Sequence, residues 1–312
     1  MKSRLPKVLH TICGKPILSY ILDTAKKLTN KKILLVVGHG RDKVIETFKD
    51  DSVEFVIQDP PIGTGDAVLR CKEYLGDDDE EILILVGDAP LLKKETLEEL
   101  INVHHENNAD ATILTAELPD PGKYGRIIRR SNLVERIVEA ADATEDELKI
   151  KEINSGIYVF DKEKLFWALA QIKPNNVQGE YYLTDTIEIL QNSNGKICAM
   201  LAKDYKEITG INTRETLGEV EKIIQRKIIK KHQLNGVTIV NPETVRIDYD
   251  VAIGKDTIIH QGVSIRGRTK IGSSCSIGEN TTIVDSEIGD NVNIGANSYI
   301  SCTKIGILDI KK

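Results

Sequence analysis

Isoleucine stands at positions 247, 253, 259, 265, 271, 277 and 283, and after a slip of one residue the six-residue spacing resumes at 288, 294 and 300. Glycine follows the isoleucine at Gly254, Gly272, Gly278, Gly289 and Gly295. Chance does not produce such a run. A period of six suits a triangular coil in which each flat face turns one aliphatic side chain inward and successive coils pair as parallel strands. Three hexapeptides close one turn, so the segment from about 237 to 306 is predicted to hold nearly four turns. The last residues, 305–312, are read as leaving the repeat without an evident cap.

Before the repeat the texture differs. From residue 16 to about 200, apolar runs of strand length alternate with longer amphipathic stretches, the pattern of a sheet with helices on both faces. Pro16 opens a helical stretch, Ile33 to Val37 reads as a strand, Arg41 to Phe48 as a helix, and Val53 to Ile57 as a further strand. A helix is expected from Asp66 to Leu75, and strands at Ile82 to Val86, Ala111 to Ala116 and Gly156 to Phe160. The uninterrupted runs 33–37 and 82–86 predict burial on both faces. Leu217, Val220, Ile224 and Ile228 fall three and four apart, and Asn235-Gly236 supplies a stop, so a helix over 216–236 is expected to join the domains. The predicted boundaries are 1–215, 216–236 and 237–312.

Composition narrows the function classes. A formal charge of −6 gives no global basic field for a phosphate polymer, and 4% aromatic residues provide few stacking surfaces for single-stranded nucleic acid. The five cysteines are scattered without C-x-x-C spacing, which argues against a disulfide framework and a zinc knuckle and suits a reducing, cytoplasmic setting. No apolar run reaches the length of a signal peptide or a membrane span.

Ligands of open α/β sheets bind beyond the carboxyl ends of the strands. Asp88 follows the run 82–86 and precedes Ala89-Pro90, so it is either a turn or N-cap aspartate or a hard-cation ligand. The loop Gln58 to Asp66 leads from a strand into a helix, where Gly63-Thr64-Gly65 lets backbone amides approach an anion, or is merely turn chemistry. Gly38-His39-Gly40 is equally open, with His39 as a possible helix cap. Residues 175–185 crowd amide, carboxylate, phenol and hydroxyl groups before a helix, which suits a sugar's hydroxyls and N-acetyl group or an ordinary polar loop capped by Thr184 or Asp185.

Taken in order, Leu5-Pro-Lys-Val-Leu-His10, Gly38-His-Gly40, Gly63-Thr-Gly65, Gly87-Asp-Ala-Pro-Leu91, Tyr124-Gly-Arg126, Ile137-Val-Glu139, Glu152-Ile-Asn154, Gln178-Gly-Glu-Tyr-Tyr182, Gly210-Ile-Asn-Thr-Arg214 and the hexapeptides cover almost the whole chain. This series resembles the bacterial bifunctional N-acetylglucosamine-1-phosphate uridylyltransferases and glucosamine-1-phosphate acetyltransferases. The resemblance implies an α/β fold: a Rossmann-like nucleotidyltransferase domain followed by a short left-handed parallel β-helix that forms trimers. It implies a cytoplasmic enzyme making an amino-sugar nucleotide for the cell envelope from UTP and N-acetylglucosamine-1-phosphate, with Mg²⁺ as cofactor.

By the same resemblance, Lys7 neutralises nucleotide phosphate, and Gln58, Gly63 and Thr64 contact uracil. Asp88 and Asn212 hold Mg²⁺, while Gly125, Glu139, Asn154, Tyr182 and Thr184 line the sugar pocket. Departures accompany it. The family opens with a strand and a glycine-rich loop, L-A-A-G-x-G-T-R-M, of which only Met1 matches, so little activity and a weakened first domain are expected of this polypeptide. Pro60-Pro61 stands where acidic and amide residues are usual, and Ala141 where a lysine is. The family's β-helix also continues past residue 312 into its acetyl-transfer site, so no residue here is assigned to acetyl transfer. The competing readings are a pyrophosphorylase for another hexose phosphate or nucleotide, and an inactive binding or trimerisation module.

Overall fold

The computed structural model describes residues 1–29 and 31–306. Its internal contacts divide the chain into two compact units, one of Lys2–Leu9 with Leu18–Gly210, the other of Met1, His10–Ile17 and Ile211 onward. In chain order the elements up to residue 234 are β1 (Thr11–Ile12), β2 (Lys15–Pro16), α1 (Ile17–Leu28), β3 (Leu34–Val37), α2 (Arg41–Phe48), β4 (Glu54–Ile57), α3 (Thr64–Leu69), β5 (Glu81–Ile84), α4 (Lys94–Asn107), β6 (Ala111–Glu117), β7 (Arg126–Arg130), β8 (Leu133–Val138), α5 (Glu145–Leu148), β9 (Glu152–Asp161), α6 (Lys162–Leu169), α7 (Asp185–Asn192), β10 (Ile197–Leu201) and α8 (Arg214–Leu234).

The first unit is built on β9. This ten-residue strand runs antiparallel to β5, β6 and β7, while β10 pairs parallel with β6. The sheet is therefore mixed. Successive side chains of β9 point to opposite faces, and both faces are covered by helices. Tyr158 and Phe160 pack with Leu165 and Leu169 of α6 and Ile187 of α7, whereas Ile157 and Val159 pack with Leu97 and Leu100 of α4. That double cover is why the strand reads as a nearly continuous apolar run. The hairpin β7–β8 is absent from the sequence expectations: three arginines in β7 hide its apolar residues, and its turn uses Ser131 in the left-handed region. Helix α3 stops at Leu69 instead of reaching Leu75, and a separate 3-10 turn, Lys72–Tyr74, follows it.

The expectation of two-faced burial fails for β3 and β5. Among the described residues β3 pairs only with β4, and β5 only with β9. A cavity of 1220 Å³ lies between them, lined by Leu34 to Val37 on one side and Ile82 to Val86 on the other. Of these nine side chains only Val37 is fully buried. Their sequence is that of interior strands, but one neighbour of each is not supplied by the described residues.

In the second unit, α8 is N-capped by Thr213, whose hydroxyl accepts from the Thr216 amide at 3.0 Å, so the helix starts before the expected Thr216. Beyond it, the short strands from Thr238–Ile239 to Lys304–Ile305 form three parallel four-stranded sheets, the faces of a left-handed β-helix. Ile239, Ile259, Ile277 and Ile294 stack on one face; Ile247, Ile265, Ile283 and Ile300 on the next; Ile253, Ile271, Ile288 and Ile305 on the third. Ile271 is 4% exposed, which keeps the expected inward register. Ile305 continues the ladder rather than leaving it, because the corners before Ile288 and Ile305 are each one residue shorter and the register slips again. The expectation for 307–312 lies outside the described residues.

A second inward position, two residues before the isoleucine, holds the buried Val245, Val251, Thr257, Val263, Thr269, Cys275, Thr281 and Ser286. The buried threonines satisfy their hydroxyls on neighbouring carbonyls, as Thr257 does on Gly272 at 2.8 Å. Gly272 is required by close approach: a Cβ there would stand 2.4 Å from the Asp290 carboxylate and 2.7 Å from the backbone of the next coil. Among the described residues, no helix is long and apolar enough to cross a membrane.

Candidate functional site

Of the candidate residues of the first unit, Gln58, Asp88 and Glu139 follow the carboxyl ends of β4, β5 and β8, Gly125 precedes β7, and Asn154 lies within β9. Asp88 follows β5 and caps no helix, since α4 begins only after Lys93. Its carboxylate forms an ion pair with the Lys7 ammonium, brought in by a 3-10 turn at Lys7–Leu9. Gly210 lies against the same carboxylate, where a Cβ would come within 3.1 Å of Oδ2. The Gly210 amide donates to the Tyr124 hydroxyl at 2.9 Å.

Gln58 is pinned by its own donors: Nε2 reaches the Gly63 carbonyl at 2.8 Å and Asp66 Oδ2 at 2.9 Å. Both bonds use the amide nitrogen and leave the side-chain carbonyl oxygen out of them. Gly63 adopts φ +127°, and a Cβ would collide with the Tyr181 backbone at 2.4 Å. The Thr64 hydroxyl accepts from the Leu183 amide at 3.0 Å, and the Gly65 amide donates to the Tyr181 carbonyl at 2.7 Å. The 63–65 loop is thus laced to residues 181–183. His39 caps nothing; Gly40 takes the N-cap position of α2 with no side-chain bond.

The other group centres on Glu139, at the end of β8. Thr184 occupies the N-cap position of α7, yet its hydroxyl makes no cap bond and donates instead to Glu139 Oε1 at 3.3 Å. A Cβ on Gly125 would stand 3.3 Å from Glu139 Oε2, and the Gly125 carbonyl accepts from the Asn154 amide at 2.9 Å. Burial pushes the Glu139 carboxyl up, partly opposed by the Thr184 bond, and Asp142 adds to the rise. Tyr182 is buried and its hydroxyl has no hydrogen-bond partner among the described residues. Burial and the surrounding carboxylates push that phenol up to about 12, so it stays a donor at neutral pH. Lys7, Thr64, Glu139, Asn154 and Thr184 share the border of the 1220 Å³ cavity. Asn212 belongs to the other unit, where its carbonyl accepts from the Met1 ammonium at 3.0 Å.

Three features escaped the sequence reading: Gly210 against Asp88, the Tyr124 hydroxyl on Gly210, and Asp142, whose carboxylate accepts from the Val177 amide at 2.8 Å. Gly210 and Tyr124 stood in the quoted motifs without a role; Asp142 carried no signal. As for a metal, the described residues hold no cluster of three or more His, Cys, Asp or Glu side chains. The donors on offer are one partly exposed carboxylate, Asp88, beside a cationic Lys7. That set fits a hard cation which takes one or two carboxylates and completes its shell with phosphate oxygens and water.

Comparison with known proteins is consistent with this geometry. A family model described as "Nucleotidyl transferase" matches residues 2–234. The chain is 46% identical over 307 residues to the "Bifunctional protein GlmU" of Listeria monocytogenes, covering 98% of this chain and 67% of that protein, and 47% identical over 307 residues to that of Listeria innocua, with the same coverage. It therefore spans about two thirds of the length of these relatives. In fold it is similar to a UDP-glucose pyrophosphorylase complexed with UDP-glucose, at TM-score 0.52 and 17% identity over 72% of this chain and 91% of that one. It is also similar to HddC from Yersinia pseudotuberculosis complexed with GMP-PN, at TM-score 0.52 and 19% identity over 72% and 92%. Transferases of this kind typically use a divalent metal. By sequence match, fold and the residues gathered around Asp88 and Glu139, the chain belongs to the nucleotidyl transferase family, and its reaction class is sugar-phosphate nucleotidyl transfer.

Proposed function

We propose that this chain carries the site for uridylyl transfer from UTP to N-acetylglucosamine-1-phosphate, giving UDP-N-acetylglucosamine and pyrophosphate in the cytoplasm. The observation that carries the sugar assignment is the buried Tyr182 hydroxyl, which has no partner among the described residues, beside a Glu139 carboxylate already engaged by Thr184. A buried donor left open costs stability unless a ligand accepts from it. A neutral acetamido or hydroxyl oxygen suits a phenol that remains protonated, and Glu139 offers the complementary acceptor for sugar hydroxyls. Asn154 and Gly125 form the adjoining wall. The uracil would lie on the loop of Gln58, Gly63 and Thr64, with the Gln58 side-chain carbonyl accepting from the base.

In the reaction, a phosphate oxygen of the sugar phosphate attacks the α-phosphorus of UTP. The new P–O bond forms as the bond to the β-phosphate oxygen breaks, and pyrophosphate leaves with that electron pair. No proton transfer is needed, so catalysis consists of alignment and charge neutralisation. Lys7 would neutralise the nucleotide phosphate once it exchanges Asp88 for substrate. Mg²⁺, when bound by Asp88, would supply further neutralisation of the phosphates. Trimers through the β-helix complete the proposal. Asp88→Asn should keep the fold and lower pyrophosphate release about 10²- to 10³-fold; an unchanged rate would remove Asp88 from the site.

A further inference from the structure

Tyr124 stands at the joint between the two residue groups. Its hydroxyl accepts from the Gly210 amide at 2.9 Å, and Gly210 lies tightly against Asp88, since a Cβ would sit 3.1 Å from Oδ2. The next residue, Gly125, touches the other group: its carbonyl takes the Asn154 amide at 2.9 Å, and a Cβ there would stand 3.3 Å from Glu139 Oε2. Two consecutive residues thus reach the Asp88 side and the Glu139 side.

The dipeptide is firmly anchored. The buried Arg126 guanidinium donates to the Tyr124 carbonyl, to the Gly122 carbonyl at 3.1 Å and to the Leu148 carbonyl at 3.4 Å. The Tyr124 ring packs against the apolar cluster that contains Leu97 and Ile208. Burial, helped by the Asp88 charge, pushes its phenol up, so the hydroxyl keeps its proton at neutral pH.

We propose that Tyr124 is a positioning residue which, by holding the Gly210 amide, fixes the backbone wall against which the Asp88 carboxylate rests and so sets the geometry of metal binding. It touches neither substrate nor metal. The inference rests on Asp88 as the metal ligand of the proposed function. Its consequence is a division of labour within two residues, Tyr124 governing the metal side and Gly125 the sugar side.

Tyr124→Phe keeps the ring and removes only the hydroxyl, leaving the Gly210 amide unpaired. Mn²⁺ serves as the probe, its binding followed by electron paramagnetic resonance on the full chain with saturating UDP-N-acetylglucosamine. Affinity for N-acetylglucosamine-1-phosphate is measured separately by calorimetry without metal. The expected result is Mn²⁺ binding weakened about tenfold, in line with the loss of one partly buried hydrogen bond, with sugar-phosphate affinity unchanged within about twofold. Gly210→Ala, which presses a Cβ onto the Asp88 carboxylate, should give the same split. Unchanged Mn²⁺ binding in Tyr124→Phe, or equal weakening of both ligands, overturns the positioning role. If the unaltered chain binds the sugar phosphate but Mn²⁺ binding is indifferent to Asp88→Asn, the metal reading of Asp88 falls and this inference falls with it. If Asp88→Asn abolishes Mn²⁺ binding while Tyr124→Phe leaves it intact, only the inference fails.

Discussion

The β-helix and the β3–β5 region are both made of short aliphatic strands, yet they reach different degrees of closure. In the β-helix each strand finds its neighbour 17 to 20 residues away, and the isoleucine ladder is closed by the chain's own next coil. In the first unit β3 and β5 carry equally apolar sequences, Leu34-Leu-Val-Val37 and Ile82-Leu-Ile-Leu-Val86, but face a 1220 Å³ cavity and are mostly half-buried. Apolar character states that a strand needs cover. It does not state where the cover comes from. A repeat provides its own cover locally, whereas a sheet depends on pairings between distant segments.

The largest expected effect concerns that cavity. A polypeptide extended at its N-terminus with an apolar strand and the loop L-A-A-G-x-G-T-R-M should bring a paired neighbour to both open edges. Burying four apolar side chains there is worth ~6 to 12 kcal/mol, and added phosphate-binding amides should raise pyrophosphate release by at least ~10²-fold. Denaturant titration and turnover of the two polypeptides side by side check this; equal stability would mean that the cavity is not a strand site. A smaller contrast sharpens the comparison. Ile271→Ala, in the closed ladder, should cost ~2 to 5 kcal/mol, while Leu35→Ala, on the half-buried β3, should cost only about 1 kcal/mol. Equal costs would erase the distinction between the two regions.

The smallest effect is electrostatic. Burial, then Glu188, Glu139 and Asp142, pushes the Asp185 carboxyl from its ordinary 3.8 up to about 6. The folded state therefore keeps a proton that the unfolded chain releases between about pH 4 and 6, and stability is lost as pH rises through that window. Asp185→Asn should flatten this slope and raise stability at pH 7 by about 1 kcal/mol, less than the full shift implies because solvent reaches part of the group. An unaltered pH profile of the melting temperature would contradict it.

These comparisons also explain what was legible beforehand. The β-helix register followed from Ile247 to Ile300 because the signal is strictly local and repeated. The second inward position is not legible in the sequence, because valine, threonine, cysteine and serine share it and no single letter marks the period. The arginines of β7 mask the β7–β8 hairpin, and Asn154 and Gly156 interrupt the apolar run of β9, so the sequence marks only its second half. In the candidate site, single residues were ambiguous on chemistry alone. Thr184 is the instructive case: its position is that of a helix cap, but its hydroxyl serves Glu139. Only the fold brings β8 and the start of α7 together.

The central claim is that the Glu139, Tyr182 and Thr184 group reads an N-acetylated sugar on a uridine nucleotide. Calorimetry of the 312-residue chain with UDP-N-acetylglucosamine and UDP-glucose, each with Mg²⁺, tests it most directly. The account predicts at least tenfold tighter binding of UDP-N-acetylglucosamine, with that preference lost in Tyr182→Phe. Equal affinity for the two nucleotides, or a preference for UDP-glucose, would contradict it.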